Sequence, residues 1–276
     1  MKFSTLVRLL AALMLLCASG LSFSQTPKAE LMWLGQSAFR LTTPSGKVIV
    51  IDPWLKANPK TPAEYKDLTK LGKVDLILVT HGHWDHIADA PELALMNKAR
   101  VYAPGDLNMT LNVLGVLPPE LTPRMNKSGT VTPFPDVPGL KITEVKAEHS
   151  SLYVWKNPAT GKDETHVGGE PVGFIIELEN GVKIYHMGDT GLFMDMKFIG
   201  EYYKPDVLLI PIGGNFTMGP TEAAYATREW IKPKFAIPMH YGASPLNKGA
   251  PQEYQQALGQ TATRVLALQP GEKTSF

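Results

Sequence analysis

The stretch Thr80-His81-Gly82-His83-Trp84-Asp85-His86 constrains this chain more than any other. Three histidines and one aspartate fall within six positions, in a chain where histidine fills 7 of 276. Imidazole and carboxylate are ligands that zinc and other borderline divalent metals accept. The run before it, Val74-Asp75-Leu76-Ile77-Leu78-Val79, is short, apolar and β-branched, which predicts a buried strand. The candidate ligands therefore begin where a strand stops. Side chains two apart in extended chain point the same way, so His81 and His83 can reach one ion. The chain must then turn for Asp85 and His86 to converge, on a second ion beside the first. Four polar residues sharing an exposed loop is the bland alternative, and the scarcity of histidine elsewhere speaks against it.

The N-terminus bears on compartment. Lys2 and Arg8, the apolar run Leu9 to Leu16 and the small-residue exit Ser22-Phe23-Ser24 read as a secretory signal peptide over residues 1–24. The run is short for a spanning helix, which needs about 20 residues. The expected product is one substantial domain over residues 25–276, exported to the periplasm or secreted. Cys17 is the only cysteine, so that product has no disulfide and no thiolate ligand. The leader carries two of the 27 basic residues and none of the 26 acidic ones, leaving a net charge of −1. Nucleic acid is not an expected partner, and no later run is long enough to span a membrane. Oligomeric state leaves no signal.

Short strands are predicted at 31–34, 38–43, 48–51, 101–103, 140–145, 174–178, 182–187, 207–210, 235–240 and 264–268. Asn180-Gly181 is the turn of a hairpin. Helices are predicted from Asp89, as a cap, to about Lys98, at 107–114, from Pro220 to about Trp230, and at 251–258. Residues 58–71 read as exposed loop or short helix, and six prolines between Pro118 and Pro138 read as loop and edge strand. Residues 152–171 read as a long irregular segment, either a lid whose Tyr153, Trp155 and His166 touch substrate or a decorated surface loop. Asp52, at a strand end, suits either support of a ligating histidine or a simple turn. His149 follows one strand, Asp189 another within Gly188-Asp189-Thr190-Gly191, and His240 ends a third. His186, inside a strand, reads as a buried residue rather than a ligand.

At these residues the sequence resembles the metallo-β-lactamase-fold superfamily, whose signature is His-x-His-x-Asp-His. The resemblance implies an α/β fold, a four-layer αββα sandwich of two halves packed sheet to sheet with metals at one edge. It implies His81, His83 and His149 around one divalent ion, Asp85, His86 and His240 around another, and Asp189 bridging both. Zinc is the first expectation for the two ions, with manganese or iron as alternatives. Pro211-Ile212-Gly213-Gly214, Phe216-Thr217-Met218-Gly219-Pro220 and Ile237-Pro238-Met239-His240-Tyr241-Gly242 resemble a poorly characterised metal-dependent hydrolase branch. That branch is related to ascorbate-6-phosphate lactonases and, more distantly, to a phospholipase D acting on N-acyl phosphatidylethanolamines. The export signal departs from a branch associated mainly with the cytoplasm.

The chemistry implied is hydrolysis of a small-molecule ester, lactone, amide or phosphodiester by a hydroxide held between two ions. Asp85 would orient that nucleophile and pass its proton to the leaving group. No Gly-x-Ser-x-Gly nucleophile elbow is present. Three alternatives remain at this stage: an iron-dependent oxidoreductase on the same fold, a β-lactamase, and a metal-binding protein without turnover.

Overall fold

The computed structural model describes residues 27–276, so the expected leader, with Cys17, lies outside the described residues. Strand alternation sorts the apolar residues into three clusters, and the clusters define the layers. A first sheet contains β1 (Glu30–Gly35), β2 (Ala38–Thr42), β3 (Val48–Ile51), β4 (Leu76–Leu78) and β5 (Arg100–Tyr102) in that order. A second contains β6 (Thr130–Val131) and β7 (Lys141–Lys146). β8 (Leu152–Lys156) and β9 (Asp163–Val167) pair only with each other. β10 (Val172–Glu177), β11 (Lys183–His186), β12 (Val207–Pro211), β13 (Phe235–Met239) and β14 (Arg264–Val265) complete the second sheet, ordered 14-13-12-11-10-7-6. β15 (Lys273–Ser275) returns to pair with β1.

Leu31, Trp33, Ile49 and Ile51 of the first sheet share one cluster with Phe174, Ile176, Val207 and Leu209 of the second. That cluster is the space between the sheets. Met32, Leu34, Val48 and Val50, from the other side of the same strands, pack with Leu93, Leu107 and Leu111 of two helices. Leu208 and Ile210 pack with Met196, Ala223 and Tyr254 on the far side of the second sheet. Period-two alternation thus builds the expected helix–sheet–sheet–helix sandwich. The helices are α1 (Trp84–Ile87), α2 (Ala90–Asn97), α3 (Gly105–Val113), α4 (Asp195–Tyr203), α5 (Pro220–Tyr225), which runs on as a π-helical turn Ala226–Ile231, and α6 (Pro251–Leu258). No helix among the described residues is long and apolar enough to cross a membrane.

Three expectations need correction. Residues 152–167 are a hairpin, not an irregular segment: Tyr153 faces His166 and Trp155 faces Glu164 across it. Leu152, Val154 and Val167 are exposed while Tyr153 is buried, so the alternation is real. Asp-Glu-Thr-His-Val in β9 is too polar to announce a strand by pattern. Asp89 stands at the N-cap of α2 without capping it; its carboxylate accepts from the backbone N–H of Leu55 and Lys56 instead. The strand expected to reach Leu268 stops at Val265, and both α4 and β15 lie where no element was expected.

Candidate metal centre

β3, β4 and β5 are parallel, as are β11, β12, β13 and β14, and candidate ligands sit where such strands end. The carboxyl edge of an open α/β sheet is where ligands bind, because loops diverge there. β3 leads to Asp52, β4 to the segment 80–86, β11 to Asp189 and β13 to His240. β7 and β1, each antiparallel to a neighbour, end at the same edge and bring His149 and Gln36. Close backbone approach at two glycines makes this convergence fit. A Cβ on Gly82 would lie 3.0 Å from the carbonyl oxygen of Leu152, where the hairpin base crosses the segment. Gly188, at φ +63°, would place one 2.9 Å from Thr80 and from the Val172 oxygen.

Asp52 is fully buried, and it resolves its two sequence readings in favour of support. One carboxylate oxygen accepts from the backbone N–H of Thr80 at 2.7 Å. The other accepts from the Thr80 hydroxyl at 2.7 Å and lies 2.8 Å from His86 Nδ1. A threonine that donates to Asp52 can only accept from His81 Nδ1, 3.0 Å away. Both rings thereby carry their proton on Nδ1 and turn Nε2 inward. One carboxylate thus sets the tautomer of two histidines, as carboxylates beside metal-ligating histidines do.

Three overlapping groups result: His81 with His83 and His149, His81 with His86 and Asp189, and Asp85 with His86 and His240. Within each group, candidate ligand atoms lie within 4.8 Å of one another. Asp189 is central. Its oxygens lie 3.4 Å from His86 Nε2, 3.6 Å from His149 Nε2 and 3.0 Å from His240 Nε2. His86 Nε2 and Asp189 Oδ1 are buried with no hydrogen-bond partner among the described residues. A ring nitrogen and a carboxylate oxygen that face each other across a buried gap need a positive charge between them, a proton or a cation. The donor set, nitrogen and carboxylate oxygen without sulfur, suits a divalent cation there.

The ionisation pattern carries the same deficit. Burial pushes the pKa of His81, His83 and His149 down, so these rings are neutral and ready to coordinate. Burial also disfavours charge on His86, but Asp189, Asp85 and Asp52 overcome it and raise that ring well above the ordinary value. Against the same burial, Asp189 and Asp85 raise His240 to about 9. Burial opposes ionisation of Asp85 too, yet His86 and His240 hold it down at about 2.

All seven residues singled out from the sequence, His81, His83, Asp85, His86, His149, Asp189 and His240, meet at this edge. Tyr153, Trp155 and His166 do not line the cavity: Tyr153 is buried and Trp155 half-buried against the first helical layer. His186 is spent structurally, with Nε2–H donating to the Ser37 carbonyl and Nδ1 accepting from Gly188 N–H. It thereby ties the Asp189 turn to the end of β1. Two contributors escaped notice in the sequence. Gln36 donates to Asp85 Oδ2 at 2.9 Å and lies 2.8 Å from His240 Nε2. Asn247 lies 3.5 Å from His240 Nδ1. Only the place of Gln36 at the end of a strand could have flagged it.

Residues 30–240 match the family described as Beta-lactamase superfamily domain. A UPF0173 metal-dependent hydrolase of Polaromonas is 69% identical over 98% of this chain and 97% of its own length. One from Rubrobacter xylanophilus is 41% identical over 88% and 95%. Among solved structures, a metallo hydrolase from the archaeon Ignicoccus hospitalis is 35% identical, with a TM-score of 0.76 over 90% of this chain and 98% of that one.

Proposed function

The chain belongs to the metallo-β-lactamase superfamily and is a metal-dependent hydrolase, and on that premise we propose a two-metal site that cleaves an ester, lactone, amide or phosphodiester bond. His81, His83 and His149 would hold one divalent ion, Asp85, His86 and His240 the second, and Asp189 both. Zinc suits a set of five imidazoles and two carboxylates. The observation that carries this reading is the convergence of three overlapping groups of candidate ligand atoms, with His81 and His86 shared between groups and each group's atoms within 4.8 Å of one another. Ions bound there would supply Lewis acidity toward the scissile group and activate water near neutral pH.

The chain's own residues supply the rest. Asp85 is the more exposed carboxylate of the site, its side chain 16% accessible against 3% for Asp189. Steadied by Gln36, it faces the cavity as a proton acceptor. It can take a proton from the attacking water and return it to the leaving group. The Asp52 network keeps His81 and His86 oriented throughout. Purified protein should hydrolyse at least one member of a panel of lactones, aryl esters, amides and phosphodiesters, and lose that activity to a chelator. Turnover that survives complete metal removal would contradict the reading.

A further inference from the structure

The cavity over the candidate ligands has a volume of about 330 Å³. Besides those ligands, three side chains line it: Trp84, Ser150 and Phe216. Among the described residues, no lysine or arginine lines it. Guanidinium and ammonium groups are the strong side-chain donors for a remote phosphate or carboxylate, and the wall offers neither. Two large aromatics stand there instead, Trp84 61% and Phe216 49% exposed.

Trp84 is held through its ring and Phe216 through its backbone turn. Trp84 lies between His83 and Asp85, and its ring meets buried Trp54 edge to face, centroids 4.8 Å apart. Phe216 sits in a turn closed by Gly214 N–H to the Met218 carbonyl at 3.0 Å. Met218 N–H in turn donates to the Thr190 carbonyl at 2.9 Å, fastening the turn to the Asp189 loop. Exposed apolar area that is held rigid costs little entropy to use, and covering it gains roughly 25 cal/mol per Å².

We propose that the substrate carries no charge outside the group that is cleaved and presents an apolar alkyl or aryl arm to Trp84 and Phe216. This rests on the hydrolase reading for the position of the scissile group. The arm would lie along the aromatic rim while that group faces the ligands, so the rim sets chain-length preference.

The test uses metal-loaded protein and alkyl hydroxamates from two to eight carbons, whose headgroup binds metal and whose tail probes the rim. A matched series ends in a carboxylate. Dissociation constants are read by calorimetry. Affinity should rise about twofold to threefold per methylene, and the terminal carboxylate should abolish that gain. Phe216→Ala and Trp84→Ala should each flatten the slope; Phe216→Ala is the safer variant because it adjoins no ligand. A flat slope in the unaltered protein, or tighter binding of the carboxylate series, would overturn the proposal. A steep slope together with no turnover of any ester, lactone, amide or phosphodiester would uphold the rim and sink the hydrolytic reading instead.

Discussion

A single carboxylate sets the chemistry of this site from underneath. Asp52 is fully buried, yet through Thr80 and His86 it decides which nitrogen of two histidines faces inward. Asp52→Asn keeps the size of the side chain and tolerates its positive φ of 45°, but puts a donor where an acceptor is needed. Metal affinity should fall about 10- to 100-fold, measured by competition with a chromogenic chelator. Unchanged affinity would show that the tautomers are set by something else. The protons on His86 and His240 give a second prediction. Carboxylates raise both rings, so at pH 7 the metal-free chain holds protons that an entering cation must displace. Affinity should therefore rise with pH and level off only above about 9, the value for His240, with proton release on loading visible by calorimetry in buffers of different ionisation enthalpy. Loading at pH 7 without proton release would refute it.

At the scale of elements, β7 contains an unexpected burden. Glu144 is fully buried opposite Phe174, in register with the space between the sheets, and neither of its carboxylate oxygens has a hydrogen-bond partner among the described residues. Burial raises its pKa to about 7, with Lys127 pulling weakly the other way. Its folded value lies above the ordinary 4.5, so the folded state binds the proton more tightly than the unfolded chain. That contribution is fully present below about 4.5 and is lost as pH rises through about 7, a swing of about 3 kcal/mol. Glu144→Gln should therefore gain thermal stability relative to the parent between pH 5 and pH 8, by several degrees in Tm. An identical difference at both pH values would contradict the assignment.

The same element scale explains what the sequence could reveal. β1, β3, β12 and β13 alternate between two apolar clusters, and a strand buried on both faces announces itself as an unbroken apolar run. Asn180-Gly181 marked its hairpin for the same local reason, since Gly181 takes φ +84°. β9 is polar and short, and it exists because β8 pairs with it, which no local pattern records. α4 begins after Phe193-Met194 without a side-chain cap, so no start signal preceded it. The candidate ligands were legible because histidine is rare and clustered here. Gln36 and Asn247 were not, because an amide carries no such signature and only the fold brings these two to His240.

For the whole molecule, two sheets, each ending its parallel strands at one edge, make a site that neither sheet could form alone. β3 and β4 supply Asp52 and the 80–86 segment; β7, β11 and β13 supply His149, Asp189 and His240. Asp189 is where the two contributions meet, touching His86 from one sheet and His149 and His240 from the other. The central claim is a pair of ions sharing that carboxylate. Metal content per chain, measured on the purified protein and on Asp189→Ala, tests it most directly. About two divalent ions per chain, both lost or weakened in the variant, is the expected result. A single ion in the unaltered protein, or two ions held as tightly after Asp189→Ala, would contradict it.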